Sequence, residues 1–500
     1  MGDAGQQTKR HAEQRFGWPV ARCALRAMAC ALFAIFALGS GAVALAQTTR
    51  DAPKLTLDTR LPSIAQAPSG SSLTEGALRT GTTGAGQSPR ESLVSLAAAA
   101  VQVLPVIRAA AARARGDQER VEQARAPSRP SLAASANARQ ELESAGSTVP
   151  FRSYGAGVQL IVPLYRPQVS AAINTAQLQF ESTSTAQMET SRDLLAALAS
   201  AYVAAAQLEA ETQSLVAERD GLLAQRNLNE RRMNGGAGTL VEVLETSARA
   251  ELTQGQVRGA EGAEQLQLAE VSRLAGRRVE RVKQLGIDDA PQLIVPPGAG
   301  AALALARQDN VTLKRLRLAA DSAQANVRAQ QAASSPVVDL VGSADRGSLV
   351  SRGVQSQVPS ALLGLRMTVP LFDGGLIDAR VREARAVQDR TEAEWQDAEL
   401  TLTADVAKAY AELSRAQAQL QANRAALAIS NTSLKATGKA FQAGVRGNID
   451  VLNAQQQTFS GQREVKRAHA ALLQAQIRVL SLTGLLNLDT LAKLEQSLSN

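Results

Sequence analysis

Few residues in this 500-residue chain could make or break a covalent bond. It holds two cysteines, Cys23 and Cys30, and two histidines, of which only His469 lies in the body of the chain. No H-E-x-x-H, G-x-S-x-G or cysteine cluster is present. The run Asn234-Gly-Gly-Ala-Gly238 lacks the lysine of a phosphate loop and ends a helical pattern instead of following a strand. A lone histidine on a helix is expected to be solvated, so catalysis, cofactors and metals are not expected. What is left is electrostatic. Arg446 lies between the glycines Gly444 and Gly447, and Asp450 follows them, within Phe441-Gln-Ala-Gly-Val-Arg-Gly-Asn-Ile-Asp-Val-Leu-Asn-Ala-Gln-Gln456. At an exposed tip such a pair could simply cap helices, and what else it does depends on the rest of the chain.

The elements that position this pair follow from the spacing of apolar residues. Val406, Leu413, Leu420, Leu427, Leu434 and Phe441 recur every seven, and Val465, Ala468, Leu472, Ala475, Val479 and Leu482 mark a return helix. A helix therefore spans Ile377 to Phe441, about 100 Å at 1.5 Å per residue. Glycine in the left-handed conformation ends it, and Asn448 is the expected N-cap of the return helix.

The same layout occurs earlier. Val169 to Met233 runs without proline, with Leu194, Ala201, Leu208, Leu215 and Leu222 at sevens. The glycine-rich break follows, then a helix from Leu240 to Ala275. Tyr202 matches Tyr410, Gly236 matches Gly444, Val243-Leu244 matches Val451-Leu452 and Gly276 matches Gly484, all at one offset of 208 residues. Val162-Pro-Leu-Tyr matches Val369-Pro-Leu-Phe. So long a shared period is the mark of a duplication.

Each copy opens with a helix, Ser92 to the residue before Pro127 and Ala301 to Ala333, followed by two strands. In the first copy these are Ser131 to Asn137 and Tyr154 to Val162, the latter closed by Pro163. In the second they are Pro336 to Ala344 and Ala361 to Val369, separated by a polar loop, Asp345 to Ser356. Tyr154, Ala156, Val158, Leu160 and Val162 share one face, and Gly155, Gly157 and Gln159 the other. Nothing in the sequence supplies a second sheet, which leaves a soluble sandwich or a membrane barrel, apolar outside and polar within. Four strands cannot close a barrel, whereas three chains would give twelve. A ring of such hairpins makes a hollow cylinder; a plain coiled-coil rod would leave the strands unexplained.

Lys9, Arg10, Arg15, Arg22 and Arg26 precede the apolar run Ala27 to Leu38 and the small residues Ala44-Leu45-Ala46. That order reads as a secretory signal cleaved after Ala46, the rival being an uncleaved anchor. Cleavage would remove both cysteines and leave a mild positive charge. Without a basic patch interleaved with aromatics, which make up only 3% of the chain, nucleic acid is no expected partner. No later apolar run could form a transmembrane helix, so a membrane role must use strands.

The chain resembles the TolC family of outer-membrane efflux and secretion proteins from Ser92 to Leu486. The resemblance rests on Val-Pro-Leu-Phe-Asp-Gly-Gly375, on its partner ending at Tyr165, and on the turn Ala443 to Gln456. It implies a mainly α fold with membrane β, in which a homotrimer shares a twelve-stranded barrel in outer-membrane lipid, continued by a periplasmic α-helical coiled-coil tunnel. It implies a periplasmic adaptor and an inner-membrane ABC or other transporter as partners. It also places the closed periplasmic tip at Phe441, Gly444, Arg446, Asp450 and Asn453, with Glu242 at the aspartate position of the first copy. Two departures stand out. Phe441 lacks a tyrosine hydroxyl and cannot hydrogen-bond across the tip, and Asn453 replaces an aspartate, which weakens any cation-attracting ring. Gly238 occupies the arginine position of the first copy.

The wording of the turn is most similar to members that serve type I secretion of RTX toxins, proteases or adhesins. Drug or small-molecule efflux is the alternative, with a periplasmic adaptor or a structural coiled-coil protein further off. An adaptor would need a compact β domain and usually a single hairpin. The expected divisions are 1–46 signal peptide, 47–90 disordered lead-in, 91–276 first repeat, 277–300 linker, 301–485 second repeat and 486–500 C-terminal tail.

Overall fold

The computed structural model describes residues 90–141, 151–286, 293–351 and 354–499. The expected signal peptide, its cleavage after Ala46 and the lead-in to residue 89 lie outside the described residues. The chain divides into a strand unit, Ser128–Tyr165 with Val338–Thr368, and a helical unit built from the rest of the described chain.

The strand unit is one sheet in the order β1 (Ser131–Glu141), β2 (Phe151–Tyr165), β3 (Val337–Ser351) and β4 (Val354–Thr368). β2 pairs antiparallel with β1 through Ala156↔Ala136 and with β3 through Val158↔Ala344. Directly paired residues share a face, so Val162 joins Leu340, and Val158 joins Ala134 and Ala344. The opposite face carries Asn137, Gln159, Ser343 and Asp345 beside Ile161 and Val341, and its glycines make room for the polar groups. A β-carbon on Gly157 would lie 2.0 Å from Asp345 Oδ1, and one on Gly155 2.6 Å from Asn137 Oδ1. Leu132, Leu363, Leu365 and Met367 are exposed, and no second sheet covers them among the described residues.

Two strand expectations are corrected. Pro163 does not close β2, which continues to Tyr165; the register shifts between the two residues, and such a bulge accommodates a residue without an N–H. The stretch read as a polar loop, Asp345 to Ser356, lies within β3 and the start of β4 at every described position. Polar side chains did not mark a turn there because they fall on both faces of the strand, Asp345 opposite Gly157 and Arg346 opposite Ala156.

The helical unit contains α1 (Leu93–Val103), α2 (Pro105–Arg125), α3 (Pro167–Asn234), α4 (Leu240–Ala275), α5 (Ala299–Asp309), α6 (Val311–Gln331), α7 (Leu376–Gln442), α8 (Asn448–Leu482) and α9 (Leu488–Ser499). The opening helix of each copy is broken in two, against expectation. Proline removes one helical hydrogen bond at Pro105, and Asn310 caps α6 by accepting from the Leu313 N–H at 3.0 Å. α3 and α7, at 68 and 67 residues, are hairpin arms of nearly equal length. Their seams are buried at Leu194, Ala201, Leu215, Leu222, Val406, Leu413 and Leu420. Duplication extends to the backbone: Gly236 and Gly444 have φ of 76° and 75°, Gly276 and Gly484 of 70° and 72°.

The largest apolar core gathers Leu93, Leu96, Leu198, Tyr202, Leu473, Ile477 and Leu480. Two segments read as connectors belong to it. Val279, Val282 and Leu285 of the supposed linker are buried there, and Glu91 bridges Val282 in parallel. The supposed C-terminal tail is α9, whose Leu491, Leu494 and Leu498 are fully buried; leucines three and four apart form one apolar stripe. Glu495 on the same helix accepts from Ser92 Oγ at 2.8 Å and pairs with Lys283 Nζ at 2.6 Å. No single described helix is long and apolar enough to cross a membrane.

Candidate functional site at the helix-hairpin tips

Both hairpins turn over a left-handed glycine. At the second, the Val445 N–H donates to the Ala440 carbonyl at 2.9 Å, and Gly444 supplies the positive φ that this turn needs. The first closes alike, Ala237 N–H donating to Arg232 O at 2.8 Å.

Arg446 and Asp450 are brought together, with Nη1 3.6 Å from Oδ1. The pair is exposed, so water screens most of its attraction. Asp450 has a second role, since its Oδ2 accepts from the Gly447 N–H at 3.1 Å and satisfies the start of α8. Glu242 does the same for α4. It accepts from the Thr239 N–H at 3.1 Å, and its own N–H donates to Thr239 Oγ1 at 3.3 Å, completing a capping box. Asn453 lies on the side facing the first hairpin, where its Oδ1 accepts from Arg249 Nη2 at 2.8 Å. Arg249 also donates to Gln456 Oε1 at 3.2 Å.

Phe441 has a cation on its face. The guanidinium carbon of Arg232 on α3 lies 4.8 Å from the ring centroid, and Arg232 Nη2 donates to Ala237 O at 3.3 Å. Gly238 occupies the sequence position equivalent to Arg446, yet the first hairpin brings its own arginine to the tip. Asn448, expected to cap α8, is instead its first residue and is buried. Gly447 takes the N-cap position, and the Asn448 amide turns inward. Its Oδ1 accepts from Gln225 Nε2 at 3.2 Å and Asn229 Nδ2 at 3.3 Å. Asn229 Nδ2 also donates to Thr246 Oγ1 at 3.0 Å.

Arg232, Arg249, Asn229 and Gln225 were not singled out from the sequence. Asn229 had a signal: it continues the heptad of Leu208, Leu215 and Leu222. A polar residue at a seam position marks a place where register is being specified.

Further from the tip, α3 and α8 are joined by charge, Arg463 to Glu218 and Arg467 to Glu211, each at 2.5 Å. Above these lies His469, which is buried and not solvated as expected. Its Nδ1 is 3.0 Å from Gly286 O, and burial holds its pKa below the usual histidine value. Among the described residues no cluster of metal-ligating side chains occurs.

The outer membrane efflux protein family model matches residues 96–277 and 302–485. The alkaline protease secretion protein AprF of Pseudomonas aeruginosa is 29% identical over 300 residues, 59% of this chain and 62% of AprF, so the match spans less than two thirds of that relative. Protein CyaE of Bordetella pertussis is 28% identical over 416 residues, 77% of this chain and 82% of CyaE. Among solved structures, the outer membrane protein VceC of Vibrio cholerae superposes with a TM-score of 0.66 at 19% identity, covering 78% of this chain and 96% of VceC.

Proposed function

The chain belongs to the outer membrane efflux protein family, a family of the Gram-negative cell outer membrane, and on that premise we propose that three copies form a passive export duct. The sheet supports the trimer: β1 and β4 lie at its ends with no described strand beyond them, and four strands enclose no lumen. Joined edge to edge, three copies give twelve strands with the apolar face toward lipid and the Asn137 and Asp345 face toward the lumen. The helical hairpins then line a periplasmic tunnel.

The tips close the far end of that tunnel. Phe441, Gly444, Arg446, Asp450 and Asn453 of α7 and α8 form the moving hairpin, and Glu242 caps the first hairpin as its scaffold. The 3.6 Å Arg446–Asp450 pair is too exposed to hold a gate by itself, so Arg446 contributes to closure through neighbouring subunits. The chain supplies no energy, and a periplasmic adaptor with an inner-membrane ABC or other transporter drives export through it.

The cargo is an exported protein, carried by type I secretion. The observation that carries this reading is the match to AprF, which is named for alkaline protease secretion. Small-molecule efflux is the second reading, favoured by the family's own description. A deletion strain separates them. Loss of a secreted protein from culture supernatant at unchanged drug susceptibility supports secretion, and the reverse supports efflux. A strain unchanged in both would overturn the duct. Arg446→Ser should raise the conductance of the resting channel in planar bilayers; an unchanged value would sink the gate.

A further inference from the structure

The contact between the two hairpins changes character along its length. At the widest core it is apolar, with Leu198, Ala199 and Tyr202 of α3 clustered with Leu473, Ile477 and Leu480 of α8. Next toward the tip it is ionic, through Glu211–Arg467 and Glu218–Arg463. A small apolar patch of Leu222, Ala250 and Leu452 follows. Beyond that patch lies a cluster of amides and a hydroxyl, Gln225, Asn229, Thr246 and Asn448, and then the contact of Arg232 with Phe441. Asn229 and Thr246 are fully buried and Asn448 is 3% exposed.

This amide cluster is incomplete without α8. Asn448 Oδ1 accepts from both Gln225 and Asn229, which otherwise satisfy only each other, Gln225 Nε2 donating to Asn229 Oδ1 at 3.1 Å, and the α4 groups Thr246 Oγ1 and Glu242 O. Asn448 acts as an acceptor alone, since its buried Nδ2 has no partner. Without α8, Asn229 Nδ2 keeps Thr246 Oγ1 and Glu242 O, whereas Gln225 Nε2 loses its second acceptor, and that bond ties the second hairpin to the first while water is excluded. Once α8 lifts away, water replaces each lost bond and no charge is stranded, so the contact is readily reversible.

We propose that the Asn448 carbonyl, seated between Gln225 and Asn229, is the catch that keeps the second hairpin closed on the first within each protomer. This rests on the gate reading above. Asn448 is a positioning residue: it need not line the pore, and it acts by setting where α8 begins and so where Arg446 and Asp450 stand. The fully apolar contact nearer the core stays shut and serves as the pivot.

The test uses purified full-length trimers in planar bilayers. Asn448→Leu keeps the size and removes the acceptor, and should raise the time-averaged resting conductance about tenfold. Asn448→Asp keeps the acceptor and should stay within about twofold of wild type. Migration as intact trimers on unheated gels shows that assembly is unaffected. Gln225→Leu, which removes one donor to the Asn448 carbonyl, should give a smaller rise and replaces Asn448→Leu if that variant does not assemble. The catch is overturned if Asn448→Leu, or Gln225→Leu in its stead, conducts like wild type, or if Asn448→Asp opens as far as Asn448→Leu. Arg446→Ser run in parallel separates the two levels. If it opens while Asn448→Leu stays shut, only the catch fails; if both stay shut, the gate reading fails.

Discussion

Arg232 of the first hairpin lies over the ring of Phe441 in the second, 4.8 Å from its centroid. A phenylalanine at this position gives up a hydroxyl but keeps a face that attracts cations, and a cation is provided from the other repeat. Such a contact contributes about 0.5–2 kcal/mol, more as it is desolvated. Arg232→Ala should therefore raise the resting open population of the channel by roughly 2- to 30-fold. Phe441→Leu should do the same, and the double variant should be little worse than either alone. Additive effects in a conductance double-mutant cycle would show that the two side chains are uncoupled.

His469 makes stability depend on pH. The neutral imidazole is buried with Nδ1 against Gly286 O, so the folded pKa lies below that of the unfolded chain. The folded state then binds fewer protons, and stability falls as pH drops below about 6.5, the unfolded histidine value. Thermal unfolding of the trimer should begin earlier at pH 5 than at pH 7.5, and His469→Gln should reduce that difference. Carboxylates such as Glu495, whose pKa burial would raise but hydrogen bonds from Lys283, Ser92 and the Val94 N–H hold down, add their own loss only at lower pH.

The last helix carries more stability than its position suggests. Leu494 is fully buried in the largest core, and Leu494→Ala should cost about 2–5 kcal/mol. Leu488→Ala on the same helix, 40% exposed, should cost well under half as much. Denaturant unfolding monitored by circular dichroism compares the two, and equal losses would count against a core role for α9.

Equivalent glycines should differ in tolerance. Gly444 and Gly484 both have φ above 70°, where a side chain is strained by about 1–2 kcal/mol. A β-carbon on Gly444 meets open space, whereas on Gly484 it would lie 2.5 Å from the Asp309 carbonyl oxygen. Gly484→Ala should lower the melting temperature by several degrees more than Gly444→Ala.

The sequence made the long helices, the tips and the duplication legible because each rests on a repeated local signal. Heptad leucines marked α3 and α7, and paired glycines marked their ends within a residue or two. The shorter breaks at Leu104 and Asn310 were harder to see, because apolar spacing continues across them. The segment around Val282 and the helix α9 were read as connectors because their partners are distant in sequence: Tyr202 Oη accepts from the Lys283 N–H at 2.9 Å and donates to Glu91 O at 2.7 Å. At the tip the charged residues are exposed, whereas the buried polar contacts between the hairpins are made by neutral amides. Asn229 stood in the heptad all along, and only its partner on α8 reveals why leucine was not used there.

The bond between Ser92 and Glu495 joins residues 403 apart, and Leu93 and Leu96 share a core with Leu491, Leu494 and Leu498. A chain made and delivered in order therefore holds α1 uncovered until α9 arrives. Until then those leucines are open to chaperones and proteases alike. Removing one turn of α9 uncovers Leu93 and Leu96 and leaves that seam unsealed.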